Sequence, residues 1–149
     1  MANGVEHLGK GEGRVMSVLG DKVTLKATAE ATLGAWELFE IETPPGGGTP
    51  LHRHGWDEGY FVLDGALSFD LGGKNLDATP GAFVQVPEGT AHAVQNRGTA
   101  PVRYLLWVAP GRVGSFFGDL EGAARDAAPT LETIVGIAMK HGIELVPPA

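Results

Sequence analysis

Apolar stretches in the first 110 or so residues are short, and glycine or proline interrupts them at fairly regular intervals. The runs are Arg14–Val18, Lys22–Ala27, Ala35–Thr43, Glu58–Leu63, Ala66–Leu71, Ala82–Val86, His92–Asn96 and Arg103–Val108. Between them fall Gly20-Asp21, Asp64-Gly65, Gly72-Gly73 and Pro80-Gly81. The 23 glycines and 10 prolines are spread along the chain, so they read as turn residues rather than as a disordered tract. Many short strands with recurrent turn signals predict an all-β sandwich or barrel. Helical spacing enters only near the end, where Leu131, Ile134, Val135 and Ala138 follow one helix face. Thr130 is a suitable N-cap, Glu132 suits the positive end of the helix dipole, and Gly142 can stop the helix. A second helical turn is expected around Ser115–Leu120. The reading is one domain over residues 1–149, with a barrel from about 12 to 110 and a helical tail from about 111 to 149.

A chain of 149 residues can bury a core without help from cross-links. It has no cysteine, which excludes disulfides and thiolate metal sites and fits a reducing cytoplasm. Met1–Lys10 has no apolar core of leader length, and no stretch approaches a membrane span. The formal charge is −7 without any basic block, so neither nucleic acid nor an anionic membrane is an expected partner. A neutral small molecule is compatible with that charge.

Chemistry concentrates in two places. His52, Arg53 and His54 follow a Pro44-Pro45-Gly46-Gly47-Gly48 stretch and sit in a strand-like context. Successive strand side chains alternate between faces, so the two histidines share one face and Arg53 takes the other. Gly55-Trp56-Asp57 is expected to turn the chain into the strand that begins at Glu58, with Tyr60 and Val62 on the face of Glu58. His92 follows a tight Pro87-Glu88-Gly89-Thr90-Ala91 turn. Three imidazoles and one carboxylate suit one divalent Fe, Mn, Ni, Co or Zn ion. Four protein ligands on a six-coordinate ion leave two positions open for substrate, water or dioxygen.

The spacing extends beyond the four ligands. Gly46, His52, His54, Glu58 and Gly65 form one pattern, and Gly81, Pro87, Gly89, His92 and Asn96 form a second. These ten positions match both signature motifs of the cupin family, and three of the five histidines fall on them. The chain therefore resembles the cupins, specifically small single-domain, quercetin dioxygenase-like cupins. The flanks Thr32-Leu33-Gly34, Ala100-Pro101-Val102-Arg103 and Phe116-Phe117, and the tail running into His141-Gly142-Ile143-Glu144, are similar to that subgroup. The resemblance implies a double-stranded β-helix, or jelly roll, commonly paired into homodimers through its sheets. It also implies His52, His54, Glu58 and His92 as metal ligands, with Glu58 able to accept a substrate proton. Gly65, Gly81 and Gly89 are expected to serve turn geometry, Pro87 to fix a turn and Asn96 to bond backbone.

Around the site, Tyr60 is expected to face the cavity, as a lining aromatic, an acid/base or a substrate hydrogen bond. Some cupin lyases that cleave dimethylsulfoniopropionate carry a tyrosine at this spacing. Trp56 is expected at the cavity rim or in an oligomer contact, with substrate-binding as its functional role. Trp36, Leu38 and Trp107 are expected in core or interface packing, and Arg103–Val108 reads as a strand covered on both sides. The tail helix is expected to pack on the outer sheet, with closure over the barrel mouth as the alternative. The leading function is a metal-dependent dioxygenase acting on a small aromatic or enolisable carbonyl compound, with Glu58 as ligand and base. One alternative is a lyase, isomerase or cyclase using Tyr60 as acid/base. Another is a non-catalytic small-molecule-binding cupin; no segment is left over for a helix-turn-helix, which disfavours a transcription factor.

Overall fold

The structure, a computed structural model, describes residues 4–147. The readings of Met1–Lys10 and of the 111–149 tail extend beyond it at residues 1–3 and 148–149. In chain order the strands are β1 (Arg14–Val18), β2 (Asp21–Ala27), β3 (Glu37–Thr43), β4 (His52–Arg53), β5 (Asp57–Asp64), β6 (Leu67–Asp70), β7 (Asn75–Ala78), β8 (Phe83–Val86), β9 (Ala93–Gln95) and β10 (Val102–Ala109). Helices α1 (Val113–Ala123) and α2 (Leu131–Lys140) follow, and then β11 (Glu144–Leu145). The all-β jelly roll with a C-terminal helical appendage is the observed fold. Among the described residues no helix is long and apolar enough to cross a membrane.

Six strands form one antiparallel sheet in the order β1-β2-β3-β10-β5-β8. The opposing layer contains β7-β6-β9 and the β11-β4 pair. Bridges between Gly48 and Gln95 and between His52 and His92 join these two parts. Strand alternation places Met16, Val23, Phe39, Ile41, Tyr104 and Val108 inside, together with Leu67 and Phe69 from the facing layer. Gly48 is needed where this second layer closes. A β-carbon there would collide with the Val94 carbonyl, and φ is +150°.

Several boundaries differ from the sequence expectations. The β1–β2 turn is Leu19-Gly20, with φ of 49° and 92°, the left-handed pair that a two-residue hairpin needs. Asp21 is therefore the first residue of β2 rather than part of the turn. Strand β7 has the sequence Asn-Leu-Asp-Ala, which has little strand preference of its own; it forms because β6 pairs with it along its whole length. Strand β10 buries one face only: Val102, Tyr104, Leu106 and Val108 are inside, whereas Trp107 is 39% exposed on the other face. Trp36 is also 39% exposed, so neither tryptophan is in the core of this chain.

The largest departure concerns the tail. It does not pack on the outer sheet. Val113 and Leu120 of α1, Ala138 of α2, and Ile143 beyond it are buried in the central core, closing the barrel mouth. Phe117 meets Phe39 edge-on with ring centres 5.2 Å apart. Helix α1 has no side-chain cap of its own. Its first amides are instead satisfied by Glu37 of β3, which accepts from Val113 N at 2.7 Å and from Gly114 N at 3.0 Å. The cap is tied further by His141 Nε2 to Asp119 at 2.6 Å, and by a bidentate Arg53–Glu144 pair across β4 and β11 at 2.9 and 3.0 Å. Thr130 caps α2 as expected, accepting from Thr133 N at 3.1 Å.

Candidate metal centre

Both layers contribute to the site. His52 lies on β4, His54 just after it, and His92 immediately before β9, while Glu58 comes from β5 of the larger sheet. The His52–His92 pair is locked by reciprocal backbone hydrogen bonds of 3.0 and 2.9 Å. The Pro87–Ala91 turn is fixed to the His54 segment, because Gly89 N donates to the His54 carbonyl at 2.8 Å. Asn96 is 2% exposed and bonds only backbone, donating to Thr43 O and Ala100 O and accepting from Gly98 N. The second motif thus holds the strand ends that present the histidines.

The three imidazoles each offer a nitrogen within 4.8 Å of the others. Nitrogens about 2.1 Å from one ion lie roughly 3–4 Å apart, so a small contraction closes the set around a cation. His52 Nδ1 lies 2.7 Å from the Pro50 carbonyl and His92 Nδ1 lies 2.8 Å from the Thr90 carbonyl. A carbonyl only accepts, so both Nδ1 atoms carry hydrogen and Nε2 of each ring is turned into the site; the His52 Nε2 lone pair is free for a metal, whereas His92 Nε2 faces the Glu58 carboxylate at 3.1 Å and gives up a proton when it ligates. His54 is 6% exposed, yet among the described residues neither of its ring nitrogens has a hydrogen-bond partner, the nearest approach of Nε2 being the Glu58 carboxylate at 3.3 Å. An imidazole left unpaired in the interior calls for a ligand, and a divalent ion is one that all three rings can share. The donor set fits such a metal.

Glu58 sits against this group. Its Oε1 is 3.1 Å from His92 Nε2 and its Oε2 is 3.3 Å from His54 Nε2. Tyr60 OH donates to Oε1 at 2.7 Å and Trp56 Nε1 donates to Oε2 at 3.1 Å. Burial pushes the Glu58 carboxyl up, but the His54 and His92 rings beside it outweigh this and hold it well below the usual carboxylate range. Burial, with Glu58 beside it, drives the Tyr60 phenol far above its ordinary value, so Tyr60 is a donor at neutral pH. Burial and the neighbouring His92 bring His52 down to about 4, leaving it neutral and able to ligate.

All six sequence-named residues therefore meet in one place, with one change of position. Trp56 is not at a rim: it is 3% exposed and stacks flat on His54, with ring centres 4.1 Å apart and planes 6° from parallel. It supports a ligand ring from behind and donates to Glu58.

The site opens into a cavity of about 150 Å3. Ile41 and Leu106 form part of its floor, and Phe116, Phe117, Leu120 and Ile134 of the helical cap form its roof. Sequence reasoning missed these roof residues, although Phe116-Phe117 stood out in the tail. It also missed Asp21, Thr43 and Tyr104, which lie on the inward face of the large sheet; strand alternation alone would have indicated Thr43 and Tyr104.

Residues 39–108 match the family profile described as the cupin domain. These residues form a cupin domain. The cupin chain is 31% identical over 86 residues to quercetin 2,3-dioxygenase of Bacillus subtilis, covering 56% of this chain and 26% of that protein. Among solved structures it superposes on the polyketide cyclase RemF from Streptomyces resistomycificus with a TM-score of 0.63 at 20% identity, covering 70% of this chain and 79% of that one. It also superposes on KdgF from Halomonas sp. with a TM-score of 0.66 at 18% identity, covering 75% and 99%. The last two likenesses establish the cupin fold alone. The chain spans between 26% and 55% of the length of the curated relatives it matches. Across these proteins one barrel serves different chemistries, and what they have in common with this cupin is the fold.

Proposed function

We propose that this cupin is a metal-dependent dioxygenase of the quercetinase-like kind, acting on a small aromatic or enolisable carbonyl compound. The observation that carries the reading is the placement of Glu58. A carboxylate touching two of the three metal-facing imidazoles is also aimed into a partly roofed, largely apolar cavity. His52, His54 and His92 would hold the ion, with Glu58 as fourth ligand or as a base released from it. A divalent cation there supplies Lewis acidity to a substrate oxygen and a meeting point for dioxygen. The protein's own part is to move a proton. Glu58 takes it from the enolisable position, and the Trp56 and Tyr60 donors hold the carboxyl in line during the transfer. The helical cap keeps bulk water from the resulting anion.

Size narrows the substrate. A cavity of comparable volume in another protein accommodates benzene. At about 150 Å3 the interior of the site seats one ring with its substituents, so a three-ring flavonol would extend through the mouth beside the cap. The test is oxygen uptake by fully metallated protein with single-ring enolisable ketones, phenols and a flavonol. Uptake matched to substrate loss is expected, falling about 100-fold or more in Glu58→Gln with the metal content retained. No uptake across that panel sinks the reading.

A second reading has an observation of its own in the Tyr60–Glu58 hydrogen bond of 2.7 Å. A phenol paired with a carboxylate can return a proton at a different carbon, as an isomerase or cyclase needs. That reading expects turnover without oxygen and strong loss in Tyr60→Phe.

A further inference from the structure

The cavity wall away from the histidines has a polar end of its own. Because the β1–β2 turn is Leu19-Gly20, Asp21 stands in β2 on the same inward face as Val23. Its carboxyl is half-buried and lines the cavity that His52 and Glu58 also line. Beside it are Thr43 and Tyr104, 1% and 3% exposed, with their oxygens 3.4 Å apart. The Tyr104 ring lies 5.9 Å from the Tyr60 ring, and the Tyr60 hydroxyl donates to Glu58. A polar row of Glu58, Tyr60, Tyr104 and Asp21 thus lines the cavity with a carboxyl at each end, and Thr43 is paired with Tyr104 beside it.

The two ends are provided for differently. Glu58 has Trp56, Tyr60 and the imidazoles as partners. Among the described residues Asp21 has no salt bridge. Burial lifts it from 3.8 to about 6, and the Thr43 hydroxyl offsets only part of that. A carboxyl in such surroundings is an acceptor with spare capacity, placed where a ligand's far end would reach it.

We propose that Asp21 is a second ligand-anchoring residue of this cupin. The cavity takes a single-ring, mostly apolar molecule that places an oxygen pair at the histidine site and offers a hydroxyl to the Asp21 carboxyl. The inference rests on the metal-site reading. A hydroxyl fits better than an ammonium, because the bound metal is already a cation in the same small, low-dielectric space and repels a second one. A volume of about 150 Å3 seats one ring between the two polar ends.

The test uses zinc-loaded protein, so that no oxygen chemistry consumes the probe. The probes are ortho-hydroxyacetophenone, which chelates through adjacent carbonyl and phenol oxygens, and the positional isomers of its derivative bearing one further ring hydroxyl. Binding is followed by calorimetry. At least one hydroxylated isomer should bind about 10-fold or more tighter than the parent, as expected for a hydrogen bond to a charged group. Asp21→Ala should abolish that gain, with the parent as internal reference, and the isosteric Asp21→Asn should retain part of it. Circular dichroism of both variants checks the fold. A gain that persists in Asp21→Ala, or no gain in any isomer, overturns the anchor. Parent binding that is absent, or equal with and without zinc, overturns the metal-site reading instead.

Discussion

His52 and His92 are oriented by the same local device, an Nδ1–H donated to the carbonyl two residues earlier, whereas His54 has none. Trp56 supplies the missing support by stacking on His54 and donating to Glu58. Trp56→Phe keeps an aromatic ring against His54 and removes the N–H together with part of the stacking surface. Metal affinity should then fall about 10-fold with the fold intact, in line with the loss of an outer-shell partner; competition titration against a chelator measures it. Unchanged affinity would make Trp56 packing alone. Asp21 yields a second prediction through its pKa. The folded value is raised, so folding disfavours the ionised form. Its favourable contribution is present below about pH 3.8 and is lost as pH rises through about 6. Asp21→Asn should therefore be more stable than the wild type at pH 8 by about 1–3 kcal/mol, the difference vanishing near pH 4. Urea midpoints of the two proteins across that range decide it, and parallel curves would refute it. A residue kept at a stability cost on a cavity wall is what the anchoring role requires.

At the scale of elements, the sequence was most legible where side chains alternate against a core. The run Arg14–Val18 is β1 without adjustment, and the Thr130 cap and Gly142 stop bracket α2 as expected. The two motifs placed His52, His54, Glu58 and His92 because their glycines and proline shape turns that local sequence encodes. What stayed hidden depends on distant partners. Strand β7 exists because β6 pairs with it, and the docking of α1 depends on Glu37, 76 residues before Val113 in the chain. Nothing local to either segment reports such a contact. Glu37 is the test of how the cap is held. Glu37→Gln removes the charge at the α1 N-terminus and turns an amide donor toward a backbone N–H, which should cost about 1–2 kcal/mol. Hydrogen exchange should show α1 amides losing protection ahead of those of β3 and β10. If all elements lose protection together, Glu37 contributes to global stability and not to the cap specifically.

On the scale of the whole molecule, burial inside one chain leaves an apolar face unexplained. On the outer side of the larger sheet, Phe61 pairs across to both Leu105 and Phe83, and Trp107 lies opposite Gly59. Phe61, Phe83 and Trp107 are 39%, 62% and 39% exposed. Gly59 belongs to this patch: a β-carbon there would stand 2.9 Å from the Phe83 ring, so the bare backbone provides the bed on which Phe83 lies beside Trp107. The sequence pointed to this surface when Arg103–Val108 read as apolar on both faces, but it could not say which face the chain itself would cover. Monomers rarely leave contiguous aromatic surface of this kind open, and a flat sheet face related to itself by a two-fold axis is a self-complementary contact. We infer that a second copy covers it, giving a homodimer through the larger sheets. Sedimentation equilibrium at micromolar concentration should return twice the chain mass. Phe83→Lys places like charges across the two-fold and should shift the protein to monomer while metal binding stays intact, because Phe83 points away from the histidines. A wild-type monomer refutes the pairing, and a Phe83→Lys protein that remains dimeric assigns the contact to another surface.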